Sequence, residues 1–159
     1  MIPLIRIHIA LGELGALAFL WTLVELLNPT EARISRARKV ALVGVIMLFA
    51  AWLVGGFYYV DYYGTNVKPI IKEGQTPWAH GVMMETKEHV FLFLPFLAIL
   101  SWSLIKKYGG AIINDQGVRI SIVLLCGLIV LLAFSMAGMG YLISSGFRGA
   151  IETNLTPPL

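Results

Sequence analysis

The sequence predicts an all-α membrane protein: one domain of four transmembrane helices in an up-down bundle, with both termini on the outer, periplasmic side. Two observations carry this expectation. Of 159 residues, 58% are hydrophobic and 13% charged, and the mean hydropathy is +0.80, which leaves too little polar surface to cover a soluble domain of this size. Four stretches, Leu4 to Leu27, Val40 to Tyr63, Thr86 to Ile105 and Val118 to Ser145, match the roughly 20 apolar residues that cross a hydrocarbon core.

The first stretch runs to Asn28-Pro29 without a small-residue cleavage site, so it is expected to stay in place rather than act as a removable leader. Asn28-Pro29-Thr30-Glu31 ends it, because the residue before proline is pushed out of the helical region. The connector to Lys39 is short, which makes the first two helices antiparallel neighbours. Arg33, Arg36, Arg38 and Lys39 fall in that connector, and Lys106, Lys107 and Arg119 flank the next one on the same side. The positive-inside bias assigns both to the cytoplasm. Arg6, Lys68 and Lys72 lie on the opposite side. The net charge of +3 is accounted for by loops that meet anionic lipid, and no nucleic-acid patch is evident.

The connector from Gly64 to Glu85 is the longest. Within it Thr76-Pro77 reads as an N-cap followed by proline at the first helical position. The third helix is therefore expected from about Pro77 to Lys107, with a kink at Pro95. Gly109-Gly110 and Asn114-Asp115-Gln116-Gly117 punctuate the next connector, and Thr156-Pro157-Pro158 reads as an extended tail. Cys126 is the only cysteine. An internal disulfide and a covalent c-type haem attachment motif are thereby excluded.

Ionisable residues gather near the outer helix ends: His8, Glu13, Asp61, His80, Glu85, Glu88 and His89. Such groups are costly in a membrane and usually face a cavity or a cofactor. His8 and His89 each lie about one turn into helices that run parallel across the bundle, so their imidazoles should meet at similar depth. His8, Gly12 and Gly15 share one helix face at i, i+4 and i+7. Gly55 and Gly56 thin the second helix at this level, as Gly138, Gly140 and Gly146 thin the fourth. The pattern predicts haem b, with His8 and His89 as axial ligands and Gly12, Gly15, Gly55, Gly56 and Gly138 admitting the porphyrin. Arg6, Lys68 or Lys87 would meet the propionates.

Two other readings stand beside this one. Glycines also permit close helix packing and interfacial histidines also bond carbonyls, which would make the chain a cofactor-free structural subunit of a membrane complex. His80, Glu85 and Glu13 joined to His89 would instead form a non-haem metal or copper site. His80 lies nine residues before His89, about 180° around a continuous helix, and is expected as a surface contact. Asp61, inside the aromatic run Tyr58 to Tyr63, is either a solvated anchor or a partner of Glu85 or Glu88 in quinol binding and proton transfer. Glu25 is expected to snorkel or to pair with a basic residue.

The opening Pro3-Leu4-Ile5-Arg6-Ile7-His8-Ile9-Ala10-Leu11 resembles the first helix of small bacterial four-helix membrane proteins of the domain of unknown function 2231 family, which begins with an HPLxVHFPIAL-like stretch. Pro3, Leu4, His8, Ala10 and Leu11 match it, while the leading histidine and the proline after the second histidine are absent here. That family also carries a histidine near the outer end of its third helix, comparable with His80 or His89. The resemblance implies a bacterial or archaeal respiratory membrane and haem association. The expected role is that of a multi-pass subunit of the prokaryotic inner membrane, surrounded by the lipid bilayer and docked on other membrane subunits or a second copy of itself. It would pass electrons near the outer face, between an outer-side electron donor and quinone. The chain lacks a nucleotide-binding loop and a nucleophile-base arrangement, so no stand-alone enzyme is expected.

Overall fold

A computed structural model describes residues 2–155, which are helical nearly throughout and contain no strand among the described residues. Helix α1 spans Ile2–Leu27 and α2 spans Glu31–Tyr58, followed by a π-helical stretch Tyr59–Tyr63. The short α3 (Gly64–Asn66) and α4 (Lys68–Glu73) come next, then a second π-helical stretch Ala79–Met84, α5 (Glu85–Asn114) and α6 (Gln116–Leu155). Four helical runs, Pro3–Leu27, Glu31–Asn66, Ala79–Asn114 and Gln116–Thr153, are long and apolar enough to cross a membrane.

Helix α1 packs on α2 and α6, and α5 packs on the same two helices, so α1 and α5 lie across the bundle from each other. Phe19, Leu26, Leu48, Leu94, Ile105 and Ile129 fill the core, whereas Trp21, Leu53, Phe93, Leu124 and Leu131 point outward. An apolar exterior of this extent is stable against lipid and not against water. Glycine notches set the closeness of α1 and α2. A Cβ at Gly44 would fall 2.8 Å from the Phe19 ring, and one at Gly15 would fall 2.8 Å from Leu48.

The α1–α2 turn is tighter than the sequence suggested. The Thr30 hydroxyl caps α2 by accepting from the Arg33 amide at 3.2 Å, so the helix begins at Glu31 and not at Val40. Arg33 and Arg36 thus sit on the first turns of α2 and reach back to Glu25, with Nε to carboxylate distances of 2.8 and 3.0 Å. The Trp21 indole also donates to Glu25 at 3.0 Å, so this acid is paired rather than snorkelling. Arg33 further satisfies the free carbonyl of Val24 at the end of α1.

Only Asp115 separates α5 from α6. Its Oδ1 accepts from the amides of Gly117 at 2.8 Å and Val118 at 3.1 Å, which is the bonding of an N-cap. Asp115→Ala is expected to cost about 1 kcal/mol, read as a lower midpoint in a denaturant titration of the detergent-solubilised protein. An unchanged midpoint would mean that packing alone holds the start of α6.

One further boundary follows expectation and others differ. The third span does begin a helical turn at Thr76 and Pro77, whose carbonyls accept from Ala79, His80 and Gly81. The break within α5 lies at Tyr108 (φ −108°, ψ 17°), while Pro95 stays inside the helix. Beyond the break α5 continues through Gly109, where a Cβ would be 3.1 Å from Arg38 and 3.2 Å from Ile34. Helix α6 runs past Ser145 to Leu155 because Gly146 seats against Thr76 and Ala79, and Ala150 against Gly74. The long connector is therefore not an open loop. With the end of α6 it builds a second apolar cluster of Tyr63, Val67, Ile71, Ala79 and Ile143, a cap over one end of the bundle. The Thr156-Pro157-Pro158 tail lies outside the described residues.

Candidate functional site beneath the cap

In both π-helical stretches an amide reaches one residue further back than in an α-helix: Gly64 N–H donates to the Tyr59 carbonyl and Glu85 N–H to the His80 carbonyl. Such wide turns are rare and recur at functional sites. Here both border a cavity of about 650 Å³ formed by the ends of α1, α2, α5 and α6, within the range of small-molecule sites. Its walls include Trp52, Phe57, Tyr59, Tyr63, Phe91 and Phe147, and the ionisable groups His8, Lys87, Glu88 and His89 also line it.

His8 is half-buried, with Nδ1 2.9 Å from the Ala51 carbonyl. A carbonyl oxygen only accepts, so Nδ1 carries the proton and Nε2 keeps its lone pair. The ring lies over Gly55, where a Cβ would be 2.5 Å from Nδ1, and Phe91 meets it edge to face at 5.7 Å. That ring contact joins α1 to α5 across the bundle, two residues from His89. His89 is exposed and lines the same cavity. Its Nδ1 lies 2.6 Å from the Glu85 carbonyl, so the same reasoning leaves its Nε2 open.

The glycines divide. Gly55 and Gly56 line the cavity, although the notch at Gly55 is filled by the His8 ring. Gly12 lines a smaller adjoining cavity of about 270 Å³ together with His8, Glu13 and Lys87. Gly15 is buried against Leu48 and serves the helix contact, and Gly138 is exposed with nothing near its Cβ position. Arg6 is exposed and lines neither cavity. Lys87 lines both, with Nζ 3.1 Å from the Cβ position of Gly140, and makes no ion pair or hydrogen bond among the described residues. The Tyr59 hydroxyl lies beside the Glu88 carboxylate, whose Oε1 is buried without a hydrogen-bond partner.

His80 is not a surface contact. It is 1% exposed, and its Nδ1 lies 3.0 Å from the Tyr63 hydroxyl. Tyr63 in turn stacks on Tyr59 with ring centroids 5.3 Å apart. The cap closes over His80, and hydropathy along the chain carries no trace of that burial. Tyr63 and Phe91 were missed as site residues, since a tyrosine run reads as an interfacial belt and a phenylalanine as core. Asp61 and Glu85 are exposed outside the cavity. Among the described residues no three His, Cys, Asp or Glu side chains converge to hold a metal ion, so His80, Glu85, Glu13 and His89 do not assemble into one site.

No protein-family model matches this chain, and no curated protein or solved structure matches it.

Proposed function

We propose that the chain is a multi-pass subunit of a prokaryotic inner membrane that binds b-type haem between His8 and His89 and passes electrons near the outer face. One observation carries this reading. Two imidazoles from facing helices line one cavity, and each is oriented by a backbone carbonyl at Nδ1 with Nε2 left open. Ligating histidines have this arrangement, because the outer acceptor fixes the tautomer and raises the basicity of the coordinating nitrogen.

Two imidazoles and an ammonium lining one cavity support the reading. His8 and His89 would hold the group and Lys87 would pair with one of its carboxylates, and when bound it would supply one-electron transfer. Phe91, edge to face with His8, holds the plane of that ring. Basic residues support the orientation. Arg33, Arg36, Arg38, Lys39, Lys106, Lys107 and Arg119 stand at the far end, against Arg6, Lys68, Lys72, Lys87 and Arg148 at the cavity end, as the positive-inside bias would have it with the cavity outward. With little mass beyond the spans, the chain would dock on a larger redox complex or a second copy and connect an outer-side donor with quinone.

A cofactor-free structural subunit is the second reading, favoured by the His8 ring filling the Gly55 notch itself. A dithionite-reduced minus oxidised visible spectrum of the purified protein separates the two. A sharp b-type α-band is expected. Its absence from well-folded protein made with ample haem would leave the structural subunit.

A further inference from the structure

We propose that the seam between α2 and α5, at the end of the bundle opposite the cap, binds the phosphodiester headgroup of an anionic phospholipid, gripped by Arg38 and Lys106 with an acyl chain along the groove beside them. The inference stands apart from the haem reading, because it uses no residue of the cavity.

Depth comes first. The run Ala79–Asn114 has 36 residues, about 54 Å of helix against a hydrocarbon core of about 30 Å, so each end protrudes by roughly two turns. Arg38 lies about two turns inside the start of α2 and Lys106 about two turns inside the end of α5. Both stand where hydrocarbon gives way to headgroups.

The two cations are also unspent. Arg33 and Arg36 are engaged by Glu25. Arg38 and Lys106 are exposed, and neither pairs with a carboxylate among the described residues. The Arg38 guanidinium crosses to α5, with Nη2 3.1 Å from the Cβ position of Gly109. Lys106 Nζ turns back over the Trp102 ring, 5.2 Å from its centroid, a cation–π contact that holds the ammonium along the helix.

Helical phase puts both charges on one side of the seam. Around α5, Lys106 lies about 60° to one side of Gly109 and Ser101 about 80° to the other. Ser101 bonds Cys126 of α6, so Lys106 faces away from α6. Around α2, Arg38 lies about 40° to one side of Ile34 and Gly44 about 80° to the other. Gly44 receives Phe19 of α1, so Arg38 faces away from α1. The pair thus flanks the outward opening of the seam, and the exposed Leu42 and Ile99 follow on its hydrocarbon side.

Charge and depth narrow the occupant. Basic pockets between membrane-spanning helices suit anionic headgroups, and a phosphodiester offers its free oxygens to a guanidinium fork and an ammonium together. A zwitterionic headgroup brings a cation of its own, which two unpaired cations repel. A lipid also carries its phosphate to this depth, whereas a free phosphate must leave water to reach it.

The test uses the full chain in bilayers that mix phosphatidylcholine with phosphatidylglycerol, one or the other carrying brominated chains, and reads tryptophan quenching. The difference from Trp102→Phe isolates the reporter at the seam among the 4 tryptophans. Phosphatidylglycerol is expected to quench Trp102 with a binding constant about tenfold or more above that of phosphatidylcholine. Arg38→Gln and Lys106→Gln should each lower that preference about fivefold. Lys107→Gln removes the same charge at the same depth, but about 160° around α5 from Gly109, and should leave it within about twofold. If Arg38→Gln fails to fold, the exposed Lys106→Gln carries the test.

No preference in the wild type, or an unchanged preference in folded Arg38→Gln and Lys106→Gln, would overturn the proposal. Equal loss in Lys107→Gln would replace the site by a diffuse basic surface. Loss of the preference on adding inorganic phosphate, beyond that caused by chloride of equal ionic strength, would make a free anion the occupant and overturn the lipid.

Discussion

His8→Ala and His89→Ala are each expected to abolish the b-type α-band, and Gly55→Leu is expected to weaken haem retention without altering a ligand. The argument for Gly55 is geometric. Any side chain there begins 2.5 Å from the His8 Nδ1 position, so the ring must leave the Ala51 carbonyl that holds it at 2.9 Å. Loss of such an outer contact typically lowers metal affinity by about 10- to 100-fold. The same change at Gly138, exposed with no neighbour at its Cβ position, should leave the band intact. Haem titration of the four variants checks the series. A full band in His8→Ala would remove His8 as a ligand, and equal retention in the Gly55 and Gly138 variants would remove the orienting role of Ala51.

Gly44→Ile is expected to force apart the α1–α2 contact. A Cβ at Gly44 meets the buried Phe19 ring at 2.8 Å and the Ala18 methyl at 3.2 Å, so α1 and α2 must separate or Phe19 must leave its rotamer. Overpacking of this kind costs about 1–3 kcal/mol. Phe19→Ala alone empties the same space, at about 3–5 kcal/mol. Together they should cost less than their sum, because the isoleucine fills part of what the ring vacates, and contacting pairs couple by about 0.5–3 kcal/mol. Denaturant unfolding in detergent would measure the cycle. Strict additivity would mean that the two sites do not share one notch.

The four spans were legible because a lipid-facing helix must be apolar for its whole crossing, and hydropathy reports that directly. The ends were not. Arg33, Arg36 and Lys39 lower hydropathy, yet arginine and lysine are good helix formers outside the hydrocarbon, so α2 begins at Thr30's cap. The fourth span was expected to end at Ser145, whereas the missing side chain of Gly146 admits Thr76 and Ala79 and the helix goes on. At the site, the parallel placement of α1 and α5 followed from connectivity, and with it the expectation that His8 and His89 approach one space. The uses of the glycines depended on which neighbour fills each notch, and the burial of His80 depended on a cap assembled from three separated segments. The two π-helical stretches left no pattern to read, since widening a turn changes side-chain phase without changing composition.

The tight turns at Asn28–Thr30 and Asp115 have a consequence for the whole molecule. Each binds two long helices into a hairpin, and the only other covalent link is the segment that forms the cap. His8 belongs to the first hairpin and His89 to the second, with the cavity along the seam. In lipid, where the hydrophobic effect does not press helices together, the halves meet at that level through shape and a few polar contacts such as that of Tyr63 with His80. Any ligand gripped by both imidazoles is therefore a clasp between two half-molecules, and its affinity adds directly to the free energy that keeps them together.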